Sequence, residues 1–302
     1  MKKYFILILV FILSLSCSND DDSNNSNSES NQLNDFPIPE LQAPNVILND
    51  LAKGIIEGDN ISSIFYQRHN VHPFDYYFEF QENSNKLKKI IIRDPGYLCE
   101  VTYIDYTYRE DKLIDEIRSN RINTCLEFEV KKNYKYNYNN GYLESIIMDN
   151  ESLIEENYFS YNSNGTIATI YSDFRSLSDY ADGYVKTSFI YDSNGNVIEY
   201  TSESPYSSTY DRKYSFTYDT NFNNFKGFFV IYSFNQPSFG IESGNGPFFL
   251  SNNNVTSTKK EYLYNDNAPQ YEYFTSNYIN GKLMDYGSED GYQYWHRYYL
   301  NY

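Results

Sequence analysis

From Ile61 onward, apolar and polar positions alternate with a period of two, and aromatic-x-aromatic pairs carry the alternation. The pairs are Phe78/Phe80, Tyr106/Tyr108, Tyr134/Tyr136, Phe159/Tyr161, Phe189/Tyr191, Phe216/Tyr218 and Tyr262/Tyr264. Successive first members are 28, 28, 25, 30, 27 and 46 residues apart. Side chains alternate across a strand, so both rings of a pair share one face. Between them stand Glu79, Thr107, Lys135, Ser160, Ile190, Thr217 and Leu263, mostly polar, so the opposite face is wetter. Near-equal intervals of this length mean stacked supersecondary units.

Each pair is followed by a turn cluster, such as Glu82-Asn83-Ser84-Asn85, Asn139-Asn140-Gly141 or Asn162-Ser163-Asn164-Gly165. After Phe189/Tyr191, Asn194-Gly195 supplies the positive-φ residues that a two-residue hairpin turn requires. A short apolar strand then returns, as in Leu87-Lys88-Lys89-Ile90 or Leu143-Glu144-Ser145-Ile146. This pattern predicts an all-β fold over residues 61–302: consecutive antiparallel hairpin repeats forming an extended, twisted meander sheet. The 46-residue interval predicts one irregular insert at 224–258, rich in Phe, Gly and Pro. It either packs back on the sheet, gates a ligand as a lid at 225–250, or meets a partner. The aromatic face must be covered or serve as a binding surface.

Phe189-x-Tyr191-Asp192-x-x-Gly195-x-x-Ile198 resembles a YD repeat, the unit of Rhs-type proteins. The nearest likeness is to uncharacterised Bacteroidota lipoproteins with degenerate YD-like repeats. The resemblance covers roughly residues 74–302 and implies a fold rather than an activity. The Asp after the second aromatic stands only at Asp192 and Asp219, with Asn137, Asn162 and Asn265 elsewhere and unmatched Gln81 and Arg109.

The N-terminus reads as an address. Lys2 and Lys3 precede an apolar run from Tyr4 to Leu15. That run falls short of the about 20 residues needed to span a bilayer, so residues 1–16 read as a signal peptide. Ser14-Leu15-Ser16-Cys17 resembles the bacterial lipobox, although Ser14 stands where that family usually has Leu. The resemblance implies acylation of Cys17 and a membrane partner through an N-terminal lipid anchor; the alternative is ordinary cleavage beside an incidental cysteine. Residues 17–35, Ser/Asn-rich with Asp20-Asp21-Asp22, predict a disordered tether, and 36–60 a linker with room for a short helix. The acidic cluster is similar to the surface-export signal of Bacteroidota lipoproteins, which implies an outer-membrane protein facing outward, with a periplasm-facing one as the alternative.

Composition narrows the chemistry. A net charge of −17 over 302 residues excludes nucleic acid as a natural partner. The 35 Tyr and 21 Phe supply much of the 40% hydrophobic content, so the core is aromatic rather than aliphatic. Cys99 and Cys125 are candidates for a disulfide in an oxidising compartment. On a regular meander they lie two strands apart, about 9.6 Å, so a bridge requires the intervening strand to end early, near Asn120. His69, His72 and His296 show no metal spacing, and Asp192-x-Asn194-x-Asn196 lacks the later ligands of a calcium loop. Asp173, Asp179 and Asp182, or Glu289 and Asp290, could pair carboxylates, yet no nucleophile-base motif or cofactor motif accompanies them.

The reading is therefore a non-catalytic, surface-anchored β-repeat lipoprotein without metal or cofactor, with a glycan or protein as partner. The alternatives are a carbohydrate-binding module using exposed tyrosines and Trp295, and a hydrolase with a lid. Replacing Cys17 with Ala is expected to abolish palmitate labelling and block maturation; labelling that persists in the variant removes Cys17 as the anchor.

Overall fold

A computed structural model describes residues 41–55, 61–68, 71–93, 99–149, 153–176, 183–204, 211–223, 226, 250–264, 267–289 and 295–302. Cys17, the predicted leader and tether, and most of the insert lie outside these residues. Among these residues a 3-10 turn at Asp50–Ala52 precedes sixteen strands. The first eight are β1 (Ser63–Arg68), β2 (Val71–Phe80), β3 (Leu87–Arg93), β4 (Glu100–Tyr108), β5 (Ile114–Asn123), β6 (Phe128–Asn139), β7 (Tyr142–Asp149) and β8 (Leu153–Tyr161). The rest are β9 (Ile167–Ser176), β10 (Gly183–Tyr191), β11 (Val197–Glu203), β12 (Arg212–Phe222), β13 (Asn253–Tyr262), β14 (Gln270–Ile279), β15 (Lys282–Glu289) and β16 (Trp295–Asn301).

All neighbours are antiparallel and consecutive, but the sheet does not stay open as the sequence pattern suggests. It is a closed barrel, because β1 pairs with β16 from Ser63↔Asn301 to Arg68↔His296. The expectation of an extended, open meander is thus overturned. The physical reason is twist: each strand is rotated against the last, and a long sheet left open would expose two unpaired edges and one apolar face. Closure removes both edges and turns the aromatic face inward.

Seven hairpins carry the same irregularity. Pairing jumps at the last aromatic position: Glu79↔Lys89 is followed by Phe80↔Leu87, and Asn137↔Ser145 by Tyr138↔Leu143. The same jump recurs at Tyr108↔Ile114, Tyr161↔Ile167, Tyr191↔Val197, Tyr218↔Val255 and Tyr278↔Leu283. One residue of each returning strand is left over, which is a β-bulge. The bulge puts residues three apart on one face, so Leu87 and Ile90, Ile114 and Ile117, Leu143 and Ile146, and Ile167 and Ile170 are all buried. It also exposes Ile198, while Val197 takes the core position.

The repeat frame is corrected accordingly. On β6 the pair before the bulge is Tyr136/Tyr138, not Tyr134/Tyr136, although all three rings are covered. The frame on β14 is Ser276 and Tyr278, whereas Tyr264 lies past the end of β13 and is 40% exposed. Turn chemistry also differs at one site. Both Asn140-Gly141 and Asn280-Gly281 have positive φ, but at Asn194-Gly195 only the glycine does. There Asp192 spans a longer turn, bonded through its backbone N–H to the Asn196 carbonyl.

Tyrosine hydroxyls stitch one hairpin to the next. The β3–β4 ladder stops at Lys89↔Asp105, and the Leu87 carbonyl two residues beyond accepts the Tyr108 hydroxyl at 2.6 Å. The same geometry recurs from Tyr138 to Ile114 at 2.5 Å, Tyr161 to Leu143 at 2.6 Å, Tyr218 to Val197 at 2.5 Å and Tyr302 to Leu283 at 2.7 Å. At each step the ladder ends three residues before the tyrosine and two after the carbonyl. Ser276 stands at the tyrosine position on β14, and Tyr286 from β15 reaches the Val255 carbonyl instead, at 2.8 Å.

Cys99 and Cys125 are joined, with Cα atoms 5.4 Å apart. The two-strand separation inferred above fails because Cys125 lies in the connection after β5 rather than on β6. Thr124 therefore sits beside Cys99, donating its N–H to the Cys99 carbonyl at 2.9 Å.

Removing one stitch strands a buried carbonyl, which costs about 1–3 kcal/mol. Tyr161→Phe is expected to lower unfolding free energy by that amount in urea titration. Tyr264→Phe, on the exposed ring, is expected to change it by less than about 0.5 kcal/mol.

Candidate functional site

The inward-facing side chains form a layer closed to solvent. Ile90, Ile117, Ile146, Phe159, Ile170, Val197, Tyr200 and Leu283 are fully buried, although they come from strands all around the barrel. Ring stacking extends across β11 and β12, where Tyr200 lies 4.6 Å from Tyr214 and 5.7 Å from Phe216. The aromatic ladder belongs to this buried layer. Phe78, Tyr106, Tyr134, Tyr136, Phe159, Tyr161, Phe189 and Phe216 are buried, and Phe80, Tyr108, Tyr191 and Tyr218 pack half-buried against them. Tyr262, on the same inward side, is half-buried.

A strap crosses the hairpin end. Gln42 donates its backbone N–H to Ser160 Oγ at 3.1 Å and accepts the Tyr161 N–H at 3.0 Å. Asn49 bonds the Gly141 carbonyl and the Leu143 N–H. Gly165, at φ +87°, has no room for a Cβ because the Val46 carbonyl lies over it. Asp50 pairs with Lys226 at 3.2 Å, tying the strap to the start of the insert. Beneath the strap is a cavity of about 50 Å³, bordered by Leu48, Asp50, Leu143, Tyr161, Tyr191 and Leu250. It has room for water but not for an organic ligand.

Toward the opposite end the inward face turns polar. Glu155 is buried and accepts the Asn157 amide at 2.9 Å, and Asn157 in turn accepts the Ser172 hydroxyl at 2.6 Å. Burial pushes the Glu155 carboxyl up to about 7, against the smaller downward pulls of the Asn157 amide and the Lys132 charge. Burial likewise lowers the Lys132 ammonium. On the far side, Lys260 lies over the rings of Tyr262 and Tyr214 at 4.7 and 5.8 Å, and Arg212 lies 6.0 Å from Tyr262. The sequence reading missed Glu155, although Glu155-x-Asn157-x-Phe159 places it on the aromatic face by simple alternation.

The outer wall is charged. Lys89 pairs with Asp105 at 3.2 Å, Arg118 with Glu116 at 2.8 Å, Lys131 with Glu129 at 3.1 Å, Lys213 with Glu199 at 2.7 Å and Lys259 with Glu261 at 2.8 Å. Each cation neighbours a buried or inward residue along its strand, so each points outward. Glu79, Thr107, Lys135, Ile190 and Thr217, which separate the ladder rings, are exposed on this wall.

Among the described residues, the other sequence candidates are not assembled into a catalytic constellation. Asp173 lies on β9 opposite Glu156, whereas Asp179, Asp182 and Asp290 are outside the described residues, as is His69. The side chains of His72, Glu289, Trp295 and His296 are likewise outside them. Asp192 is occupied by its turn: Oδ1 accepts the N–H groups of Asn194 and Asn196 at 2.8 and 2.9 Å. Its bonds to Asn196, Asn194 and Gly195 hold the carboxyl below its usual range despite the opposing effect of burial. Among the described residues no group of three metal-ligating side chains is present.

These features define a closed antiparallel barrel with an aromatic interior and a charged exterior. Among solved structures, a porin-like protein from Bacteroides vulgatus is similar with a TM-score of 0.52 at 12% identity, over 80% of this chain and 98% of that one. A porin-like protein from Bacteroides uniformis covers the same shares at 12% identity with a TM-score of 0.37. The first likeness is one of fold. No protein-family model and no curated protein matches the chain.

Glu155 makes stability depend on pH. A carboxyl near 4.5 in the unfolded chain and about 7 in the folded one favours the folded state below pH about 4.5. That advantage is lost as pH rises through about 7. Glu155→Gln is expected to remove this slope and to gain up to about 3 kcal/mol over the native chain at pH 8, read from denaturation at several pH values.

Proposed function

We propose that the chain is a lipid-tethered outer-membrane protein whose barrel stands in water at the cell surface and acts by binding, neither conducting solutes nor catalysing a reaction. The observation that carries this reading is the polarity of the wall. A membrane-spanning barrel needs an outward apolar band about 25 Å tall and a polar interior. This barrel has the reverse arrangement, with Lys89, Arg118, Lys131, Lys135, Lys213 and Lys259 facing out and the ladder facing in. A lipid-facing Lys or Arg near the midplane costs about 2–4 kcal/mol. Several such residues together would rival or exceed the ~5–15 kcal/mol by which a folded domain is stable.

Among the described residues no helix is long and apolar enough to cross a membrane, a finding that leaves strands open; the wall chemistry is what speaks against strands as well. The lipobox-like Cys17 and the acidic tether then supply the attachment that the barrel lacks. Support for an outer-membrane setting also comes from the fold shared with a porin-like protein. The non-catalytic reading draws on how the polar side chains are used: Asp192, Asp219, Asn196, Asn253 and Asn254 bond one another and the hairpin backbones.

The purified full chain is expected to give no conductance steps in planar lipid bilayers. Stepwise conductance would establish a spanning barrel instead.

A further inference from the structure

We propose that the outer face of β12–β14 binds a neutral glycan, with Tyr271 and Tyr273 as its stacking platforms. The inference rests on the water-facing barrel proposed above and assigns that wall a ligand class. Phe274 points into the core, so the alternation of β14 sends Tyr273 and Tyr271 outward. They are 63% and 56% exposed and stand two residues apart, about 6.8 Å along the strand. Single exposed rings are commonplace, but two successive ones on a rigid strand make a platform.

The surroundings choose the occupant. Ser257 lies directly opposite Tyr273, and Thr217 directly opposite Ser257. Thr217 Oγ1 is 2.6 Å from Ser257 Oγ and 2.8 Å from Thr256 Oγ1, a line of hydroxyls that both donate and accept. Lys259 lies opposite Tyr271 and is paired with Glu261 at 2.8 Å, and Lys213 is paired with Glu199 at 2.7 Å. Charge on this patch therefore cancels within a chain of net −17, which turns away anionic polymers and suits an uncharged ligand. Sugar rings present C–H faces that stack on aromatic rings and hydroxyl edges that exchange hydrogen bonds. A stable protein interface instead needs roughly 800 Å² per partner around an apolar core, and here the exposed apolar neighbour Leu263 lies at the margin, past the end of β13.

Native affinity electrophoresis of the full chain in detergent, through gels containing laminarin, mannan, xylan or polygalacturonate, tests the assignment. Retardation is expected with at least one of the three neutral polysaccharides and not with polygalacturonate. Tyr271→Ala/Tyr273→Ala is expected to weaken it about tenfold or more. Tyr271→Phe/Tyr273→Phe, and Tyr77→Ala at an exposed ring on β2, are expected to keep it. No retardation by any neutral polysaccharide, retardation by polygalacturonate alone, an undiminished double-alanine variant, or equal loss on Tyr77→Ala would overturn the proposal. Should the double-alanine variant fail to fold, hydroxyl-radical footprinting of the unaltered chain with the retarding polysaccharide decides. Protection of both tyrosines is expected, and unchanged modification overturns the proposal. Bilayer conductance reports separately on the water-facing wall, so failure of one reading is distinguishable from failure of the other.

Discussion

The barrel depends on how backbone carbonyls are satisfied where its strands part. A bulge in each hairpin tilts the returning strand away from the next hairpin, and the ladder between hairpins ends early. The carbonyl exposed there would be buried without a partner, a cost comparable to a lost hydrogen bond. A tyrosine hydroxyl meets it, and the ring below that hydroxyl fills the interior. Packing and hydrogen bonding are therefore done by the same residue. That explains why tyrosine stands at these positions: phenylalanine could pack the layer but could not serve the carbonyl, and leucine could do neither as well. The Tyr286 substitution for the missing partner at Ser276 shows the constraint acting on the carbonyl rather than on a sequence position.

The same constraint sets the barrel's polarity. Bulged strands twist more, and twist accumulated over sixteen strands brings the first and last together. Closure then hides the aromatic side and leaves the wall to lysine, arginine, glutamate and hydroxyl side chains, arranged largely in cross-strand and same-strand pairs. Exposed pairs of this kind contribute little to stability. Their consequence is a charged wall on which the neighbouring exposed rings of Tyr271 and Tyr273 stand out. The strap over the hairpin end adds its own cover to the inner layer there, through Leu51 and Ala52.

Much of this was legible in the chain, and what was missed has physical causes. Hairpins and their order follow from period-two alternation and turn residues, both local signals. Closure is not local: the pairing of Ser63 with Asn301 is set by twist summed over every intervening strand. The bulge was written in the sequence as Leu87-x-x-Ile90 and Leu143-x-x-Ile146, a three-residue spacing that a regular strand cannot bury on one face. Counting rings rather than these aliphatic pairs shifted the frame at Tyr134 and misplaced it at Tyr262/Tyr264. Glu155 was readable by parity alone, but burial of a carboxylate is the outcome alternation argues against, so composition hid it. The outward tyrosines could not be told from ladder tyrosines until the core face was fixed by Phe274.

The pairing of β1 with β16 also has a kinetic meaning. Hairpins form in about 1–10 μs because their ends are close along the chain. The seam joins residues more than two hundred positions apart, so its loop-closure entropy is met only after the other strands have shortened the path. Until then the growing sheet carries two live edges and an uncovered aromatic side, the condition in which repeat sheets pair with the wrong chain. Cys99 and Cys125 stand at the open ends of β4 and β5, twenty-six residues apart along the chain. Their bridge closes a far shorter loop than the seam does, and so ties one hairpin whose ends the β1–β16 pairing leaves untouched.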